Sequence, residues 1–305
     1  MKHLPRILGL LALAASLGYL GVMAVRHAST FPEVTWDARA VAALAAATGL
    51  YLVMVLAGAA AWFLLLRSLG AEVSPVAVLT VHSLAQAGKY LPGNVGQYIG
   101  RAALARRHGI PLHQVALTLV FEPTCLIVTA AACALFAETG TSSSPAADPW
   151  KIGLLAAGAV AAPFLLVHIL ERWFPDLLRR RIGVTRLPRP SVAALGACLV
   201  LYALSFALWA LSFELLARGL FGAGSDLSWT RVVPAFALSW VAGFVTPGAP
   251  AGLGVREALL VGGTAPLYGP GTALSAALAL RLVTVLGDGL AFLAGWGLQA
   301  RAGRG

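Results

Sequence analysis

Lys89, Asn94, Gln97, Tyr98 and Arg101 fall in one short polar stretch, Lys89-Tyr90-Leu91-Pro92-Gly93-Asn94-Val95-Gly96-Gln97-Tyr98-Ile99-Gly100-Arg101. A second version occurs at Thr246-Pro247-Gly248-Ala249-Pro250-Ala251-Gly252-Leu253-Gly254-Val255-Arg256-Glu257. In both, a Pro-Gly pair leads into a glycine-interrupted turn, and an arginine lies nine residues after the first proline. Glycines expose backbone N–H groups and allow close approach, and helix ends add partial positive charge. A guanidinium donates two parallel hydrogen bonds to one oxyanion. The chemistry these residues suit is capture of an anion, and Arg101, Arg256, Glu257 and Lys89 are the expected ligands, with Asn94, Gln97 and Tyr98 bonding a polar headgroup. The competing explanation is that the cations snorkel to the membrane surface and only anchor their segments.

Three further ionisable residues lie inside apolar runs: Glu122, Arg281 and Asp288. Each costs roughly 3 kcal/mol to place in hydrocarbon even on the lenient insertion scale. Glu122 and Arg281 both sit near mid-span depth, about 15 Å in, and follow the two motif prolines at similar spacing. They are expected to approach each other, as a direct pair or through a bound phosphate; a structural ion pair is the alternative. Asp288 lies too far along the helix to bridge to Arg281 easily and is a candidate for ion coupling. Glu257 can neutralise Arg256 or cap the helix that follows. Glu214 and Arg218 form an ordinary helical pair.

The elements that hold these residues are membrane helices. The chain has 305 residues, of which 59% are hydrophobic and 11% charged, less than half the charge of an ordinary soluble domain. The net charge of +10 comes without aromatic-interleaved basic stripes, so it marks topology rather than nucleic acid. Cys125, Cys133 and Cys198 all fall in apolar runs, as inert thiols do. No metal-ligand cluster, nucleotide-binding loop or other cofactor motif is present.

The expected architecture is an all-α polytopic protein with about six full spans and two re-entrant helical hairpins. Residues 1–37 hold an N-terminal span; residues 38–137 form a first repeat whose hairpin covers about 75–108. Residues 138–190 are a connecting span and a basic cytoplasmic loop, and residues 191–300 a second repeat with its hairpin at about 230–265. Ser74-Pro75 starts the first hairpin as a cap followed by a first-turn proline. Arginines concentrate in the loops of one face, above all Arg172, Arg179, Arg180, Arg181, Arg186 and Arg189, which places both termini in the cytoplasm. The hairpins then enter from opposite faces, the pattern of an inverted repeat. Trp62, Trp150, Trp173, Trp229 and Trp296, near span ends, are expected to be interfacial anchors.

The two motifs resemble the signatures of the lysylphosphatidylglycerol synthase transmembrane family, with Glu122 where that family often has an acidic residue. The resemblance spans about Ala38 to Leu298 and implies a lipid-handling protein of a bacterial cytoplasmic membrane. Full-length synthases add a soluble aminoacyltransferase domain, and none follows the last span before Gly305. The expectation is therefore a non-enzymatic translocase for an anionic lipid, such as an aminoacylated phosphatidylglycerol or a polyprenyl-phosphate-linked sugar. The alternative is a membrane scaffold for a glycosyltransferase or lipid-synthesis enzyme. A membrane-embedded transferase would need an acidic cluster near the headgroups, and the sequence offers none.

Overall fold

A computed structural model describes residues 36–90, 96–138, 149–182, 186–223, 228–246 and 252–302, with residues 22, 25 and 32–34 before them. The expected first span, the Pro92-Gly93-Asn94 turn and the Pro247-to-Ala251 turn lie outside the described residues. Nine helices of eight residues or more are described: α1 (Ala38–Ser68), α2 (Pro75–Ala85), α3 (Gly96–Arg107), α4 (Leu112–Glu138), α5 (Pro149–Trp173), α6 (Val192–Phe221), α7 (Trp229–Val245), α8 (Val255–Tyr268) and α9 (Pro270–Ala302). No strand occurs among the described residues. Within α1, α4, α6 and α9, four segments of the described chain are long and apolar enough to cross a bilayer. Helix α5, 25 residues long, has the length of a span.

Local signals explain the helix ends. Asp37, Ser74 and Ser191 accept hydrogen bonds from the N–H groups of Ala40 (2.9 Å), Ala77 (3.1 Å) and Ala194 (3.2 Å), and Pro75 occupies the first turn of α2 as the sequence predicts. Gly222, in the left-handed region at φ 62°, stops α6. Helix α2 tightens at its end into a 3₁₀ turn over Gln86–Tyr90, which carries Lys89.

Small residues let the helices approach closely, which replaces the hydrophobic drive that lipid removes. Helix α1 packs most extensively on α6. A Cβ on Gly219 of α6 would meet the Ala43 Cβ of α1 at 2.3 Å, so nothing larger than glycine fits there. The fully buried aromatics Trp62, Phe121, Phe213 and Phe236 fill the interior. Leu278, Leu282, Leu286 and Leu293 are exposed along one side of α9, and Val200 and Leu204 along α6. Such stripes on spanning helices face acyl chains.

The packing pairs repeat. Helix α2 packs on α9, and α7 on α4; α1 packs on α9, and α6 on α4. Helix α3 contacts α2 and α4 as α8 contacts α7 and α9. Of each short pair, the first helix packs on a long helix remote in sequence, α2 on α9 and α7 on α4, and the second on the long helix that follows it, α3 on α4 and α8 on α9.

Candidate functional site

Both broken segments are closed at the neck by glycine against glycine. A Cβ on Gly88 would lie 2.6 Å from the Gly96 carbonyl oxygen, and one on Gly252 would lie 2.9 Å from the Gly243 Cα. Gly252 also has φ 69°, a conformation that favours glycine. These glycines serve chain closure, and Gly243 and Gly252 also line the cavity between the two segments. Beyond the necks, the two segments meet: the Tyr98 ring of α3 packs edge-on against Phe244 of α7, with centroids 6.4 Å apart.

Between them lies a cavity of about 200 Å³. Its wall carries Lys89, Gln97, Tyr98, Arg101, Glu122, Arg256, Arg281 and Asp288. Every described residue expected from the sequence as a ligand or central charge, except Glu257, therefore reaches one space; Asn94 lies outside the described residues. Glu257 is buried behind Arg281 in a small adjoining pocket.

The ion pairs differ from the expected ones. Glu122 accepts from the Arg101 guanidinium, so the direct Glu122–Arg281 pair is not the arrangement, although both line the cavity. Among the described residues, a carboxylate near Arg281 is that of Glu257, 3.7 Å away. Glu257 also accepts from the Gly254 N–H at 2.6 Å, the capping role open to it from the sequence.

Arg101 is fully engaged. Its side chain is 6% exposed, lies 5.0 Å over the Trp62 ring and donates to His82 Nδ1 at 3.0 Å. Arginine has no acceptor, so Nδ1 must accept and the imidazole is neutral. Gln86 lies 2.8 Å from the other ring nitrogen. Trp62 donates its indole N–H to Thr118 at 2.9 Å and is wholly buried, which corrects its expected interfacial role. Trp173, Trp229 and Trp296 are exposed, as anchors should be.

Asp288 is 4% exposed and forms a second network. Lys89 Nζ lies 2.8 Å from its Oδ1 and donates to the Tyr51 hydroxyl, also at 2.8 Å. The Tyr51 hydroxyl donates to Asp288 Oδ1, and Tyr90 donates to Oδ2 at 2.6 Å. Gly287 makes room for this arrangement, since a Cβ there would fall 2.1 Å from the Tyr51 ring. The network ties the 3₁₀ turn of one half to α9 of the other.

Arg256 stands apart. Its guanidinium lies 4.7 Å over both the Trp209 and the Phe236 rings, which stack on each other at 4.6 Å. Among the described residues no carboxylate lies within 4.0 Å of it. Its aromatic seat orients the charge without neutralising it.

Tyr51, His82, Tyr202, Trp209, Trp240 and Phe244 also line the wall and were not picked out from the sequence. Within apolar runs their spacing matches ordinary core. A hint existed in Tyr51 and His82, polar-tipped residues in the middle of helices expected to be apolar. Glu214 pairs with Arg218 as expected and also accepts from Tyr268, tying α6 to α8.

No curated protein matches the chain. A family described as the lysylphosphatidylglycerol synthase TM region matches it over residues 7–291. With four long apolar helices around a charged interior, this multi-pass membrane protein belongs to the lysylphosphatidylglycerol synthase transmembrane-region family.

Proposed function

We propose that this protein is a translocase, without enzymatic activity of its own, that carries the headgroup of an anionic lipid through the cavity between its two broken segments. The observation that carries this reading is Arg256, a cation fixed on aromatic rings at the wall of the cavity with no described carboxylate within 4.0 Å. A buried charge of that kind calls for an anion, and in a membrane the abundant anion is a lipid phosphate. The family match supports a role with membrane lipids.

The paired packing of the helices supports an inverted repeat, in which α2–α3 and α7–α8 are re-entrant hairpins from opposite faces. In this reading both termini are cytoplasmic, six spans cross a bacterial cytoplasmic membrane, and the halves rock about the cavity. Lys89 and Asp288, joining one half to the other, would separate and re-form as they do so.

A scaffold for a membrane enzyme is the second reading. It is favoured by the exposed Arg172, Arg179, Arg180 and Arg186, which offer a basic surface to a partner or to anionic lipid. Proteoliposomes containing a trace of phosphatidylglycerol with a fluorescent acyl chain separate the two. An impermeant quencher should reach nearly all of the label with the wild type and only the outer leaflet with Arg256→Ala. Wild-type vesicles that protect the inner leaflet, from a preparation that retains a bound enzyme, would favour the scaffold.

A further inference from the structure

The charges around the cavity can be balanced, and the balance bears on which headgroup fits. Lys89, Arg101, Arg256 and Arg281 face Glu122 and Asp288, with Glu257 behind Arg281. Each carboxylate is near a cation: Glu122 with Arg101, Asp288 with Lys89, and Glu257 with Arg281. His82 accepts from Arg101 and adds no charge. Residues 91–95 and 247–251, which complete the two segments, contain no ionisable side chain. The described residues and these two turns therefore leave one positive charge in excess, and it sits on the side of Arg256.

The halves differ in how they reach this state. Arg101 and Arg256 hold equivalent motif positions, and each is seated over a tryptophan. Twenty-one residues beyond Arg101 stands its partner Glu122; the same step from Arg256 reaches Ala277, and the next turn of α9 presents Arg281. Where one half supplies a carboxylate, the other supplies a methyl group and a second cation. Arg101 is closed on a carboxylate of its own half, whereas Arg256 has no described carboxylate within 4.0 Å.

We infer that the cavity selects a monoanionic phosphodiester whose headgroup is otherwise uncharged, and rejects headgroups that carry an ammonium. This rests on the translocase reading for the route of the lipid, but binding tests it separately. A phosphodiester bearing a neutral polyol contributes one negative charge and brings the cavity to neutrality. Esterifying that polyol with lysine adds two ammonium groups and leaves two net positive charges in place. Esterifying it with a neutral amino acid leaves one. A diphosphate errs in the opposite direction. Charge left unbalanced away from water is costly, so these differences act as selection as well as attraction. No carboxylate is spare for an ammonium, because all three are near cations. The aromatic faces of Trp240 and Phe244, stacked at 5.3 Å, lie along the same wall as Arg256, whose charge repels a second cation there.

The test is lipid binding to the full-length chain in nanodiscs that contain equal amounts of phosphatidylglycerol, lysyl-phosphatidylglycerol and phosphatidylethanolamine. Lipid bound to the protein is released and counted by mass spectrometry. Enrichment of phosphatidylglycerol by about tenfold over both ammonium lipids is expected, and Arg256→Gln should bring the ratio close to that of the membrane. Glycerophosphoglycerol, the same phosphodiester without acyl chains, distinguishes a headgroup site from a lipid site: displacement by it assigns selection to the headgroup, and enrichment that survives it assigns a share to the lipid body. Equal or greater enrichment of lysyl-phosphatidylglycerol would overturn the inference, as would a ratio unchanged in a folded Arg256→Gln protein. Preferential binding without movement in vesicles would leave the charge inference standing and defeat the translocase reading. Movement of all three lipids at equal rates, with no preference in binding, would do the reverse.

Discussion

Arg101 and Arg256 show how the same residue at the same motif position acquires two roles from its neighbours. Arg101 is buried with Glu122 and His82, so removing either member of the charged pair strands the other. Glu122→Ala should lower stability by about 3–5 kcal/mol. The Arg101→Ala, Glu122→Ala double variant should lose less than the sum of the two single variants. Denaturant titration in detergent measures both. Arg256→Ala removes a charge that has no described carboxylate partner, so its cost in stability should be much smaller than its cost in lipid movement. That both motif arginines belong to one site was readable from the sequence. The partners were not: Glu122 and Arg281 look equivalent when spacing is counted from the prolines. Which side chain meets which depends on the packing of α3 on α4 and of α8 on α9, and no periodicity encodes that rotation.

At the scale of elements, the short helices matter because they stop. Ser74 and Pro75 announced the start of α2, and the glycine-rich motifs announced its interruption; both follow from backbone chemistry that any context preserves. The glycine necks are a stricter demand. Gly88→Ala would press a methyl group onto the Gly96 carbonyl, and backbone cannot move aside as a flexible side chain does. That substitution should separate the arms of the first segment and raise labelling of a cysteine placed at Val95, read as the rate of reaction with a soluble maleimide. Gly49→Ala, with open space around it, is the matched control and should leave the rate unchanged. The aromatic seats under Arg101 and Arg256 escaped notice for a related reason. In a chain this apolar, Trp62 and Trp209 have the sequence context of core or interfacial residues, and only the fold brings a guanidinium over each ring.

At the scale of the molecule, the first helix of each short pair crosses the boundary between residues 38–138 and 192–302 to rest on a long helix of the other stretch, α2 on α9 and α7 on α4. Contacts across that boundary include the Lys89–Asp288 network and the Tyr98–Phe244 ring pair. Asp288→Asn keeps one acceptor oxygen for Tyr51, turns the Tyr90 contact into one in which the tyrosine oxygen must accept, and removes the charge that holds Lys89. It should slow lipid movement more than it lowers stability, with both measured on the same reconstituted protein. Opposite entry of the two segments can be checked with cysteines at Ser74 and Ser228, which an impermeant reagent should reach from different faces of sealed vesicles.

The central claim is that lipid passes between α3 and α7. Cysteines at Tyr98 and Phe244, joined by a short bifunctional thiol reagent, address it in one measurement of lipid movement in proteoliposomes. Cross-linking should stop movement, and a reducible linker should restore it once cleaved. Movement at the full wild-type rate with the two residues joined would place the path elsewhere and contradict the account.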